Sequence, residues 1–212
     1  MPGSPWRIPG VLQFKLSEFF DRTGRSPATV EARPVTAAMT RTDLANAIYH
    51  ASHLTGEFLL RSGTVATEYF DKYQFESQPA LLKEITSALV DLVPSNTEAL
   101  AGLELGGVPL ATMLSQATRL PTLFVRKAAK TYGTCQLAEG GELAGRRLCI
   151  VEDVVTSGGQ IEKSVAELRT LGAHVSHAIC VIDRESGGSK NLHGVGIELL
   201  SLYTMSELRD AA

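Results

Sequence analysis

The chain has 212 residues, of which 44% are hydrophobic, and a formal net charge of -3. That is enough apolar material for one core and an appendage but not for two full domains, and the acidic balance argues against a dedicated nucleic-acid binder, which needs a basic excess to neutralise phosphates. No apolar run approaches the roughly 20 residues that span a bilayer and the first residues lack a signal-peptide core, so a cytoplasmic protein with no membrane contact is expected.

Residues 1–38 hold five of the nine prolines and a single short apolar patch, between Val11 and Phe20. This composition predicts a disordered extension. Met39 stands immediately before a clean helix start, so translation is expected to begin there and residues 39–212 to form the folded unit. From Thr42 the order of residues predicts a capped helix with Leu44, Ile48 and Ala51 on one face, ending near Thr55-Gly56. Residues 58–73 predict two short strands joined by a turn at Ser62-Gly63. On pattern alone, such a hairpin does no more than lid a core.

Pro79 opens a helix whose Leu81, Leu82, Ile85, Ala88, Leu89 and Leu92 recur at helical spacing, closed by Pro94. Ala99 to Leu103 is a candidate strand. After it, Glu104-Leu-Gly-Gly-Val-Pro109 turns into a helix through Leu110, Met113, Leu114 and Ala117, and the paired glycines suit a tight strand-to-helix turn. Pro121 to Val125 is another short strand. The polar, glycine-bearing connection that follows, residues 126–142, is long for a compact domain and favours a mobile functional loop. Its Arg126, Lys127 and Lys130 could equally be a solvated basic patch.

The most informative stretch runs from Leu148 to Gln160. An apolar strand, Leu148 to Val151, leads into Glu152 and Asp153, then Val154, Val155, and the small residues Thr156, Ser157, Gly158 and Gly159. A helix begins near Gly159 with Ile161, Val165, Leu168 and Leu171 on one face. Open parallel sheets bind ligands beyond the carboxyl ends of their strands, where the next turn offers unpaired N–H groups. The amides of Thr156 to Gln160 at a helix amino terminus suit a phosphate. The two acids accept only, and suit vicinal sugar hydroxyls or a hydrated cation. Together they describe a site for a ribose 5-phosphate, against the plainer reading of a buried strand ending in an acidic helix cap.

Val175 to Ile182 is a further strand running into Asp183-Arg184-Glu185, which could be a strand-end salt bridge. Ile197 to Leu202 is the last strand, and Ser206 to Arg209 a short capped terminal helix. Cys135, Cys149 and Cys180 form no C-x-x-C pair and read as free thiols, and the histidines show no metal-ligand spacing.

The stretch around Glu152 and Asp153 resembles the phosphoribosyl pyrophosphate signature of the type I phosphoribosyltransferases, with Glu152 where Asp is usual. Other segments are similar to the orotate enzymes among them. Their hood pattern is matched by Phe58, Leu60, Arg61, Ser62, Gly63, Tyr69, Phe70 and Asp71, with Thr67-Glu68 where many relatives carry Ser. Their catalytic loop is matched by Arg126-Lys127-x-x-Lys130-x-x-Gly133, with Thr131-Tyr132 where Asp-His is usual. Gly106 stands where some of them place a Lys.

The resemblance implies an α/β type I fold, a central mostly parallel sheet flanked by helices, with a small hood mainly from residues 39–75 over a core of 76–212. It implies transfer of ribose 5-phosphate from phosphoribosyl pyrophosphate to orotate N1, with inversion at C1 through an oxocarbenium-like transition state, giving orotidine 5'-phosphate for UMP synthesis. Lys130, Glu152 and Asp153 would be catalytic. The donor would be bound by Arg126, Lys127, Lys130 and residues Glu152, Asp153, Val154, Val155, Thr156, Ser157, Gly158, Gly159 and Gln160. Orotate would meet Arg61, Tyr69, Phe70, Thr156 and Arg184, the last through a fork suited to a carboxylate. Mg2+ would be held mainly by the donor and water, without a dedicated protein site. A homodimer sharing its active sites is implied. A non-catalytic phosphoribosyl pyrophosphate sensor and a purine-specific enzyme are the alternatives, and Arg184 discriminates against the latter because purines lack orotate's carboxylate.

Overall fold

The Thr40 hydroxyl accepts a hydrogen bond from the Asp43 N–H at 3.1 Å and the Asp43 carboxylate returns to the Thr40 N–H at 3.3 Å, a capping box that starts helix α1 (Arg41–Ser52). The structure is a computed structural model and describes residues 39–59, 63–128 and 137–212. Expectations placed on residues 1–38, on Leu60, Arg61 and Ser62, and on Lys130 with its neighbours Thr131 to Gly133 lie outside the described residues. So does the third cysteine, Cys135; Cys149 and Cys180 are free and buried.

Helix α1 ends earlier than its sequence pattern predicts, because His53 leaves it for an antiparallel ladder. Strand β1 (His53–Leu59) pairs with β2 (Val65–Phe70), His53 opposite Phe70 and Leu59 opposite Val65. No residue of either strand is fully buried, and Phe70 at the end of β2 is partly buried against the core. A short helix α2 (Tyr73–Glu76), which the sequence pattern does not predict, then leads to α3 (Pro79–Leu89), with Pro79 in its first turn where the missing N–H costs nothing.

The main sheet begins with β3 (Ala99–Leu103), every residue of which is buried, as a strand covered on both faces must be. Helix α4 (Gly107–Thr118), strand β4 (Thr122–Val125), a two-residue strand β5 (Ala138–Glu139) and β6 (Arg147–Val155) follow. Then come α5 (Gly159–Thr170), β7 (His174–Asp183), α6 (Gly188–Gly194), β8 (Glu198–Thr204) and α7 (Met205–Asp210). The strand order is β5-β4-β3-β6-β7-β8, parallel except for β5 at the edge. This is the mostly parallel sheet expected.

Helices cover both faces. Leu44, Ile48, Ile85, Leu110 and Leu208 pack with Cys149 and Val151 on one side. On the other, Ile161, Val165, Leu168 and Leu192 pack with Ile150 and Cys180. Leu171, expected on the apolar face of α5, lies past its end and is 49% exposed. Helix α5 stops at Thr170 because the chain turns through Gly172, at φ +89°, into β7.

The chain leaves β3 toward β4 on one side and β6 toward β7 on the other. The sheet order therefore reverses between β3 and β6, and the loops beyond these two strands diverge there, leaving a crevice at the carboxyl edge.

Candidate active site

Strand β6 is longer than its apolar run. It continues through the two acids to Val155, held by β7 with Glu152 opposite Cys180 and Val155 opposite Asp183. Its pairing with β3, by contrast, stops at Gly102 opposite Val151. Glu152 and Asp153 are thus still in a strand but stand beyond the end of one neighbour, inside the crevice.

Alternation along the strand sends the two acids to opposite faces. Glu152, 9% exposed, lines a cavity of about 220 Å3 with Val154, Val155, Thr156 and the Ser157–Ile161 turn. Burial first, and then the charge of Asp153, raises its carboxyl well above the usual range. Asp153 is not among the lining residues. It is 0% exposed, and its Oδ2 lies 2.5 Å from Lys72 Nζ while its Oδ1 accepts the Val154 N–H at 2.5 Å.

The turn after β6 is shaped as a cradle. Gly158 takes φ +77°, and a Cβ there would stand 2.9 Å from Leu192 Cγ on α6, so both conformation and space require glycine. The Glu162 N–H donates to the Gly158 carbonyl, which leaves the Gly159, Gln160 and Ile161 N–H groups ahead of the helical ladder and directed at the cavity end. Asn191 Nδ2 donates to the Ser157 carbonyl at 3.0 Å, and Gln160 Nε2 to Ser164 Oγ at 3.2 Å.

Other expected residues gather on the same sheet edge. The Arg184 N–H donates to the Val155 carbonyl at 2.8 Å, which sets Arg184 beside the end of β6. Its side chain is exposed and, among the described residues, has no ion-pair partner, so the expected alternative of a strand-end salt bridge with Asp183 or Glu185 does not form. Glu185 instead accepts from the Ser206 N–H at 2.9 Å and Ser206 Oγ at 2.6 Å, which pins the loop carrying Arg184 to the start of α7.

At the end of β4, Arg126 Nε lies 3.8 Å from Glu139, and the Lys127 N–H donates to Glu104 at 2.8 Å, tying that strand end to the loop after β3. Tyr69 and Phe70 lie on β2, Tyr69 exposed and stacked on Phe58 at 5.5 Å. The Lys72–Asp153 pair fastens the segment just after them to β6.

Sequence reasoning did not single out Lys72 or Glu76. Glu76, 8% exposed, is pushed up to about 9 by burial and then by its hydrogen bond to Asp153. Burial alone would lower Lys72, but the Asp153 carboxylate outweighs it and the ammonium titrates above its ordinary value. The available signal was the i, i+4 spacing of Lys72 and Glu76 around the apolar Phe75, which puts both on one side of a single helical turn.

A twisted parallel sheet with a ribose-sized acidic cavity and a phosphate-suited turn at its reversal point defines a class, and the family described as "Phosphoribosyl transferase domain" matches residues 72–196. The orotate phosphoribosyltransferase of Nocardioides is 53% identical over 159 residues, covering 75% of this chain and 88% of that protein. That of Halobacterium salinarum is 41% identical over 170 residues, 80% of this chain and 97% of the relative. Among solved structures, the Mycobacterium tuberculosis orotate phosphoribosyltransferase in complex with 5-phospho-alpha-D-ribosyl 1-diphosphate superposes with a TM-score of 0.69 at 25% identity, covering 80% of this chain and 98% of that one. The chain belongs to the orotate phosphoribosyltransferase family.

Proposed function

We propose that the protein transfers the ribose 5-phosphate of phosphoribosyl pyrophosphate to N1 of orotate, releasing pyrophosphate and forming orotidine 5'-phosphate for UMP synthesis in the cytoplasm. The observation that carries this reading is the meeting, at one sheet edge, of the Glu152 cavity, the open amides of Gly159 to Ile161 and the exposed Arg184.

The 5'-phosphate would sit on the turn from Thr156 to Gln160, where unpaired N–H groups and the α5 dipole favour an anion. Glu152 and Asp153 would hold the ribose hydroxyls and favour the positive charge that develops on the ring as the C1–O bond breaks. Arg184 would meet the orotate carboxylate bidentately, assisted by Arg61, Thr156 and the backbone around Tyr69 and Phe70. Orotate N1 then attacks C1 from the face opposite the leaving group, which accounts for inversion. Arg126, Lys127 and Lys130 would face the pyrophosphate, and Lys130 would stabilise charge that appears only in the transition state.

Mg2+ belongs in this scheme as part of the donor. It would be held mainly by the donor and water, and would neutralise the leaving group. A homodimer in which Lys130 serves the neighbouring subunit's site completes the reading.

The test is an ultraviolet assay of orotate consumption with phosphoribosyl pyrophosphate and Mg2+, with adenine, guanine and uracil as competitors. Orotate consumption that the purines do not inhibit is expected. Turnover of a purine in preference to orotate overturns the assignment.

A further inference from the structure

The segment joining the hairpin to α3 carries two ionisable side chains into the interior of the site, and neither is accounted for by the scheme above. Lys72 is 33% exposed along its side chain, and its Nζ lies 2.5 Å from Asp153 Oδ2. Glu76 is buried with no donor directed at its Oε1. An ionised, unpartnered carboxylate in such a place is strongly disfavoured, because water that would solvate it is excluded.

Gly106 shows where the two acids meet. A Cβ on Gly106 would overlap Asp153 Oδ2 and stand 3.0 Å from Glu76 Oε1, so both oxygens converge under the loop after β3. A proton on Glu76 removes the difficulty. Its O–H then donates to the Asp153 carboxylate, and the unpartnered oxygen becomes a hydrogen-bond donor instead of an orphaned acceptor. The charged groups facing Glu76 are Asp71 and Lys72 from its own segment and Asp153 from β6, with Glu152 on the far face of that strand. With Glu76 protonated, Lys72 and Asp153 balance.

We propose that Lys72 and Glu76 are positioning residues for the ribosyl diphosphate donor, acting through Asp153: the Lys72 ammonium neutralises that carboxylate, the Glu76 carboxyl donates to it, and together they fix its orientation beneath Gly106. The inference rests on the proposed function, because it takes Asp153 to be a donor-binding residue. It has a physical consequence. Asp153 Oδ1 is held by the Val154 N–H and Oδ2 by the Lys72 ammonium, with Glu76 Oε1 converging beneath Gly106, so the carboxylate is already ordered before a donor arrives. It also ties donor binding to the segment that follows the hairpin, since Lys72 is two residues past Phe70.

The experiment measures binding of phosphoribosyl pyrophosphate with Mg2+ to the full chain by calorimetry, beside steady-state KM values for both substrates. Lys72→Met and Glu76→Leu should each weaken donor binding about ten-fold or more, as loss of a charge-assisted hydrogen bond does, and leave the orotate KM within about two-fold. Glu76→Gln, which keeps an N–H donor toward Asp153, should stay within about two-fold of the parent. In an Asp153→Asn background Lys72→Met should add nothing, because its partner is gone. Donor binding unaltered by Lys72→Met overturns the proposal, as does a Lys72→Met penalty that persists in full beside Asp153→Asn. This cycle decides the matter even if Glu76→Leu fails to fold. A parent protein that binds no donor overturns the functional reading and this inference with it, whereas a parent that binds the donor with variants that bind equally overturns the inference alone.

Discussion

Replacing Glu76 with Gln should change how the stability of the protein depends on pH. Glu76 titrates near 9 in the folded chain against 4.5 for an ordinary glutamate, so between those values the folded state holds a proton that the unfolded state has released. The stabilisation is full below about pH 4.5 and is lost as pH rises toward 9. One such proton changes the free energy of unfolding by about 1.4 kcal/mol per pH unit. From pH 6 to pH 8 the loss is roughly 3 kcal/mol, or about 5–10 °C in Tm for a domain of this size. Glu152, also raised by burial, adds a slope of the same sign. Lys72, raised from 10.5, loses its contribution only above that value, and Glu185 and Glu207, lowered from 4.5, lose theirs only on the acid side. The amide of Glu76→Gln does not titrate, so the variant should lose about one proton's share of the slope and gain on the parent steadily from pH 6 to 8. Thermal or urea melts at constant ionic strength measure this. Parallel stability curves for the two proteins would refute the argument that Glu76 is protonated when folded.

Three further outcomes are expected. Gly106→Ala would drive a methyl group into Asp153 Oδ2; donor affinity should fall more than ten-fold, about 1.4 kcal/mol or more, while the melting curve stays cooperative, as titration with phosphoribosyl pyrophosphate and a thermal scan will report. Arg184→Ala should raise the orotate KM by about 1.5–3 kcal/mol of lost charged hydrogen bonding with little change in the donor KM, and equal effects on both substrates would dismiss Arg184 as the carboxylate reader. Lys130→Ala should lower kcat more than donor affinity; if its loop crosses to a neighbouring subunit, mixing it with Asp153→Asn chains should restore part of the activity, and no recovery after demonstrated subunit exchange would exclude a site shared in that way.

Where a signal is local, the chain declares itself before it folds. Strand Ala99–Leu103, the helix opened by Pro79 and the glycine turn that starts α5 at Gly159 stand where their own residues predict them. The phosphate-suited turn and both acids are legible for the same reason, since one strand, one turn and one helix start are contiguous. What periodicity does not reach is set by neighbours. Strand β5 is two residues long and exists only as a partner of β4. Strand β6 runs on through Glu152 and Asp153 because β7 supplies its hydrogen bonds, although two acids would ordinarily end a buried strand. Strand parity sends the acids to opposite faces, but only tertiary packing decides that Glu152 meets a cavity while Asp153 is closed in by Lys72 and Glu76 from another part of the chain. Burial and pairing of charge are properties of atoms brought together across that distance. They therefore decide the protonation of Glu76 and the place of Lys72, which the order of residues alone leaves open.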